Sequence, residues 1–234
     1  MTSTRQFFRG ALDTIPMVLA AIPFGILFGV LAPANGIPNW IAIAFSAFVF
    51  AGSAQYVAIG LLAAGTPVGL IVVTTFIVNL RHLLYSLAML VPFQHVSVRR
   101  KVALSFFLTD ETFVIFNQRY QHKLLEQDHV PYYLGSALFM YSNWQLCTWL
   151  GLWAGSALEG IDKLGLEFAM VTAFISMMVP MFKHKKNIIS AVLAFTLAWL
   201  TRSWPHKTGI VFSVVIAAFF ASMTRAEHSK EVDE

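Results

Sequence analysis

From Thr14 to Leu80 the chain reads TIPMVLAAIPFGILFGVLAPANGIPNWIAIAFSAFVFAGSAQYVAIGLLAAGTPVGLIVVTTFIVNL, 67 residues without one Asp, Glu, Lys, Arg or His. Apolar stretches of about 18 residues or more read as bilayer-crossing helices. Turns at Pro33–Pro38 and at Gly65-Thr66-Pro67 cut this run into pieces of that length. The remainder is of the same kind. The chain is 57% hydrophobic and 12% charged, against about 25% charged in soluble domains. Too few charges remain for a polar shell, and no length is left for a soluble domain. The expectation is an all-α, polytopic integral membrane helix bundle, one transporter-sized domain over 1–234 with a short polar N-terminus (1–13) and a polar, solvated tail (224–234).

Working outward, the spans fall at about 14–33, 40–64, 67–91, 102–118, 131–155, 166–182, 187–203 and 208–223. The first carries Pro16, Pro23 and the pair Gly25/Gly29, whose four-residue spacing lets a neighbouring helix approach closely. The second is interrupted by Ala51-Gly52-Ser53-Ala54-Gln55, and the fourth holds Thr109-Asp110-Glu111-Thr112 in its middle. The net charge of +4 reads as the Lys/Arg excess of cytoplasmic loops and not as a nucleic-acid surface. With the N-terminus inside, Arg119–Lys123 and Lys183–Lys186 fall inside, as does the C-terminus. Only Arg99–Lys101 lands outside if all eight pieces cross. That violation vanishes if 40–64 and 102–118 each enter and leave on one face. Both arrangements, eight spans or six spans with two re-entrant elements, stand at this point. Irregular backbone at membrane depth is tolerated only where protein or a water-filled cavity surrounds it.

Three places could carry chemistry. Thr75, Asn79, His82 and Ser86 share one face of the 67–91 helix, with Arg81 beside them on a face with Thr74 and Tyr85. A charge at the bilayer centre costs at least about 2.5 kcal/mol. Arg81 is therefore a structural ion pair, a snorkelling side chain or a ligand for a carboxylate, which guanidinium meets bidentately. Asp110 and Glu111 are its natural partners. Neighbours on a helix point about 100° apart, so one acid can pair with Arg81 while the other titrates as a proton carrier. The plainer reading is that Thr109 and Asp110 cap a helix start. The third place is Gly52-Ser53-Ala54-Gln55, where a glycine permits a break that exposes backbone N–H groups to a substrate; tight packing of small residues is its plainer reading. Tyr141, Asn143, Trp144 and Gln145 are weaker signals.

Several classes lack support. No Walker A loop, no His-Glu-xx-His zinc pattern and no Gly-x-Ser-x-Gly elbow occurs, and no Cys/His cluster is spaced for a metal. The single cysteine, Cys147, reads as a packing residue. No cofactor, metal or catalytic residue is expected, the chain reads as a non-enzyme, and no cleavable signal is recognised.

Phe50-Ala51-Gly52-Ser53-Ala54-Gln55-Tyr56, Val78-Asn79-Leu80-Arg81-His82-Leu83-Leu84-Tyr85-Ser86 and Leu108-Thr109-Asp110-Glu111-Thr112-Phe113 resemble, in order and spacing, the AzlC family, and so does Ile22-Pro23-Phe24-Gly25. The resemblance spans about residues 8–220, and Asn79–His82 is its most specific piece. It implies a secondary transporter subunit that exports leucine, isoleucine, valine or related amino acids across the bacterial inner membrane. It also implies a small hydrophobic AzlD-like partner. On this reading the substrate-binding or coupling residues are Gly52, Ser53, Gln55, Asn79, Arg81, His82, Tyr85, Asp110 and Glu111, with protons as a candidate coupling ion. A passive channel for small solutes or ions, and a non-transporting membrane scaffold, are the alternatives.

Overall fold

The computed structural model describes residues 3–122, 125, 129–157 and 185–204, with single positions at 209, 212, 213, 216, 217 and 220. The expected span at 166–182 and the tail from 224 lie outside the described residues, and 208–223 is described only at those single positions. Among the described residues the elements are all helices: α1 (Ser3–Ala34), α2 (Asn39–Ala44) running into a π-helical turn (Phe45–Val49), α3 (Gly52–Ala63), α4 (Val68–Met89), α5 (Val98–Ser105), α6 (Asp110–Gln121), α7 (Val130–Ala157) and α8 (Lys185–Leu200). On length and composition, Ser3–Ala34 and Val68–Met89 can cross a membrane, and Asn39–Val49, Gly52–Ala63 and Ile188–Leu200 are shorter apolar helices. Polarity is turned inside out. Thr14, Ser46, Thr112 and Ser136 are fully buried, while Val72, Phe76, Trp149 and Trp153 are largely exposed. That is the pattern of a chain whose solvent is lipid.

The chain divides into two compact units, Met1–Gln55 with Asn79–Leu164 and Tyr56–Val78 with Gly165–Glu234. Within the second unit the Thr74 and Thr201 hydroxyls donate back to the carbonyls of Leu70 and Leu197 at 2.8 and 2.7 Å. The Arg202 guanidinium sits over the Trp199 ring at 4.8 Å.

The first unit is built on α1 and α7. Gly10 lies against Tyr132–Ser136, Gly25 against Cys147, and Gly29 against Thr148–Leu152. Residue numbers rise together on the two helices, so α1 and α7 run parallel. A Cβ on Gly29 would stand 2.9 Å from the Gly151 Cα and 2.8 Å from the Leu152 nitrogen; only glycine allows this approach. Thr14 Oγ1 meets Ser136 Oγ at 2.6 Å across the same seam.

Helix α1 begins about ten residues before the expected span, so the described part of the polar lead-in, 3–13, is helical. Its reason is packing: Gln6 and Gly10 are buried, and Gly10 lets α7 close on the first turns. The extension carries Asp13, which accepts two hydrogen bonds from Arg119 (Nε and Nη2, both 2.8 Å) and a third from the Tyr132 hydroxyl at 2.8 Å. This knot joins α1, α6 and α7 at the N-terminal end of the seam. Charge-assisted bonds contribute about 1.5–3 kcal/mol each, discounted here because both side chains keep about a quarter of their surface exposed. Asp13→Ala should therefore lower the melting temperature in detergent more than Tyr132→Phe does, because it strips all three bonds. Equal melting of the two variants would refute that ranking.

The remaining elements of this unit fall into register against α7. Ser46 meets Thr148 (2.7 Å) and the Ala47 carbonyl accepts from Tyr141 (3.1 Å). Helix α2 and its π-turn thus run antiparallel to α7, from the C-terminal end of α1 to the level of Tyr141, where the helix breaks. At the other end, His95, Val96 and Arg100 share a cleft with Ser3, Thr4 and Val130. From there α5 rises past Tyr133, whose hydroxyl donates to the Leu104 carbonyl at 2.9 Å, to Phe106 and Phe107 beside Tyr141. Helix α6 then descends, with Phe116 near Tyr133 and Tyr120 near His129. The segment 98–121 is a hairpin that enters and leaves at one end. Arg99–Lys101 and Arg119 both lie at the end that holds the N-terminus of α1, which is the arrangement without a charge violation.

Candidate functional site

The first break is made at Phe50, not at the glycine. Phe50 adopts left-handed backbone (φ 41°, ψ 43°) at the end of the π-turn. A non-glycine residue there carries roughly 1–3 kcal/mol of strain. The break is held by α7. The Tyr141 ring packs on Phe50 at 4.8 Å. The Ser46 and Ala47 carbonyls, released by the irregular helix, accept from Gln145 Nε2 (2.8 Å) and the Tyr141 hydroxyl. Gln55 accepts from the Trp144 indole N–H at 3.0 Å and donates to Ser46 Oγ at 3.2 Å. Gly52 admits the edge of the same indole, since a Cβ there would fall 2.9 Å from it.

The second break, 106–109, ends in a cap. Thr109 Oγ1 accepts from the Thr112 N–H, and Thr112 Oγ1 accepts from the Thr109 N–H, both at 3.3 Å. Asp110 and Glu111 occupy the first turn of α6, where the helix dipole favours negative charge. The capping role thus belongs to Thr109, and Asp110 is left for another partner.

That partner is Arg81. Its Nη1 donates to Asp110 Oδ2 and its Nη2 donates to Ser53 Oγ at 2.6 Å. One guanidinium therefore links the start of α3 to the start of α6, the two points where the helices break. Tyr141 touches both breaks from the other side, through Phe50 and through Phe106 and Phe107 (6.2 and 5.4 Å). Tyr85 stacks on Phe113 of α6 at 4.6 Å, and His82 meets Tyr85 edge-on at 6.0 Å. The His82 Nδ1 lies 3.2 Å from the Asn79 carbonyl.

Of the residues singled out in the sequence, Ser53, Arg81 and Asp110 come together directly. Tyr85 and His82 flank them. Gly52 and Gln55 pack on Trp144, and Glu111 follows Asp110 in the first turn. Three buried polar atoms, Arg81 Nε, Asp110 Oδ1 and Asn79 Oδ1, have no hydrogen-bond partner among the described residues. The first turn of α3 holds no acidic residue, so its N–H groups and the guanidinium make a positive pole. Asp110 and Glu111 make the negative one. A small zwitterion has the matching charges. Sequence reasoning missed the Asp13–Arg119–Tyr132 knot. Its one signal was that Asp13 is the last charge before the uncharged run.

The family profile described as AzlC protein matches residues 16–158, which contain both breaks, Arg81 and all of α7. A protein of Helicobacter pylori, named only as an uncharacterized membrane protein, is 32% identical over 211 residues, 89% of this chain and 83% of its own. The inner membrane protein YgaZ of Escherichia coli is 28% identical over 207 residues (83% and 81%), and the branched-chain amino acid transport protein AzlC of Bacillus subtilis is 30% identical over 200 residues (82% and 74%). No solved structure matches. The chain belongs to the AzlC family and is a membrane transport protein.

Proposed function

We propose that the protein is the large subunit of a secondary exporter of branched-chain amino acids, leucine, isoleucine, valine or close relatives. The observation that carries this reading is the state of the ion pair between the two helix breaks. Arg81 keeps an unmet donor (Nε) and Asp110 an unmet acceptor (Oδ1), and an amino acid brings one carboxylate and one ammonium. The carboxylate binds Arg81 and the open first turn of α3; the ammonium binds Asp110, with Glu111 the candidate carrier of a coupling proton. The name of the Bacillus relative supports branched-chain amino acids as the substrate class. The chain works in the bacterial inner membrane as a multi-pass protein without catalytic chemistry. Its N-terminus is cytoplasmic, because Arg5, Arg9, Arg99–Lys101 and Arg119 gather at one end, and an even number of crossings puts the C-terminus on the same side. A small hydrophobic AzlD-like subunit completes the carrier.

The test is accumulation in cells loaded with dipeptides of many amino acids, with and without co-expression of an AzlD-like small membrane protein. Lower internal leucine, isoleucine and valine with both chains present, abolished by collapsing the proton gradient, is the expected result. Unchanged levels of all three, with another solute depleted, would overturn the substrate assignment.

A further inference from the structure

Between the end of α4 and the face of α5 lies a cleft of about 220 Å³, lined by Met89, Leu90, Phe93, Val102, Leu104 and Leu108, with Lys101 also at its edge. It is separate from the Arg81–Asp110 pair, and the transport reading makes no use of it. Its walls are apolar and it opens to the outside of the helices: Leu90 and Val102 are 49% and 66% exposed. In a membrane chain an outward-opening apolar cleft faces acyl chains. The polar end of the cleft has a definite charge. Arg99, Arg100 and Lys101 follow one another at the start of α5, and no acidic residue occurs anywhere from Leu90 to Leu108. Arg99 and Arg100 are exposed, and Lys101 makes only a long contact, 3.5 Å to the Gln94 carbonyl. Basic positions beside an apolar cleft between membrane helices, at the end where positive residues gather, match an anionic lipid headgroup. Val98 and Val102, one turn apart and both exposed at 74% and 66%, give α5 an apolar edge to lie against the acyl boundary.

We propose that this cleft binds one anionic phospholipid, an acyl chain lying along Met89, Phe93 and Leu104 and the phosphate held by Lys101. The site fixes α5, and through it the second hairpin, to the leaflet at the N-terminal end of α1. A neutral zwitterionic lipid fills the same cleft without the charge contact, so the site discriminates by headgroup.

The probe is native mass spectrometry of the purified full chain, relaxed from detergent containing equal amounts of phosphatidylglycerol and phosphatidylcholine of identical acyl chains. Wild type should retain phosphatidylglycerol in clear excess. A basic residue near an anionic surface contributes roughly a factor of five, so Lys101→Ser should lower the ratio by about that factor. Ser105 also lines the cleft, so Ser105→Phe, which places a ring there and keeps every charge, should lower the retention of both lipids together. Lys101→Arg should behave as wild type, which separates charge from damage to the fold. Equal retention of the two lipids by wild type, an unchanged ratio in the serine variant, or full retention in Ser105→Phe would each overturn the proposal.

Discussion

Arg81→Ala will reduce export to the level of cells lacking the protein, while the chain still inserts and elutes as a single species in detergent. The guanidinium makes charge-assisted bonds to Asp110 and to Ser53, each worth about 1.5–3 kcal/mol. Its loss leaves Asp110 without its cation. Removing one member of a buried pair costs about 3–5 kcal/mol, less here because the two side chains are 28% and 37% exposed. Even the discounted sum corresponds to about a hundredfold loss or more. Arg81→Lys keeps the charge but replaces a planar fork by a point donor. It cannot span Ser53 and Asp110 in the same way, and should retain a small fraction of the activity.

The decisive variant is the double one, Arg81→Ala/Asp110→Asn. If the pair only ties one helix break to the other, neutralising both members removes the unpaired charge and should restore much of the export. If Arg81 holds the substrate carboxylate, the double variant stays inactive although its melting temperature recovers. Recovery of both stability and export together would end the role proposed for Arg81. The measurement is leucine efflux from loaded cells beside a thermal melt of the purified variants.

Much of this arrangement was legible in the chain before its coordinates. The uncharged run forces membrane helices, and the interruptions at 51–55 and 109–112 mark where the helices break. The cost of a charge in lipid makes Asp110 or Glu111 the expected partner of Arg81, and the structure selects Asp110. Where reading fell short, the cause was distance along the chain. Asp13 and Arg119 are 106 residues apart, and no local pattern encodes their meeting, so both read as solvated flanks. The two arrangements of 102–118 could not be separated either, because hydropathy gives length and polarity but not direction. The break at 50–51 shows a subtler failure. Glycine is the residue expected to break a helix, yet Phe50 takes the left-handed backbone. Packing against Tyr141 overrides the local preference, and Gly52 serves to admit the Trp144 indole instead.

Gly29→Ala should strongly destabilise the protein, as should Gly10→Ala further along the same seam. The new Cβ would stand 2.8 Å from the Leu152 nitrogen and 2.9 Å from the Gly151 Cα, and closer still to the Thr148 carbonyl oxygen. All of these are backbone atoms of α7, so no side chain can turn aside, and relief requires the two helices to part. Overpacking costs about 1–3 kcal/mol where side chains can adjust, and more is expected where none can. In lipid the loss is compounded, because small-residue contact is itself a driving force for association. Parting α1 from α7 also draws on the Thr14–Ser136 contact and the Asp13–Arg119–Tyr132 knot along the same seam. Gly151→Ala strikes the same contact from the other helix, so the double variant should cost less than the sum of the singles. Gly69→Ala is the control. It lies in α4 with no atom within 4 Å of its would-be Cβ, and alanine is the better helix former by about 1 kcal/mol. Thermal melts followed by size-exclusion fluorescence should show Gly69→Ala at or above wild type, and Gly29→Ala aggregating at temperatures where wild type is intact. A Gly29→Ala protein that melts with wild type would mean that α1 and α7 do not meet at this seam, and the register deduced against α7 for α2 and for the 98–121 hairpin would fall with it.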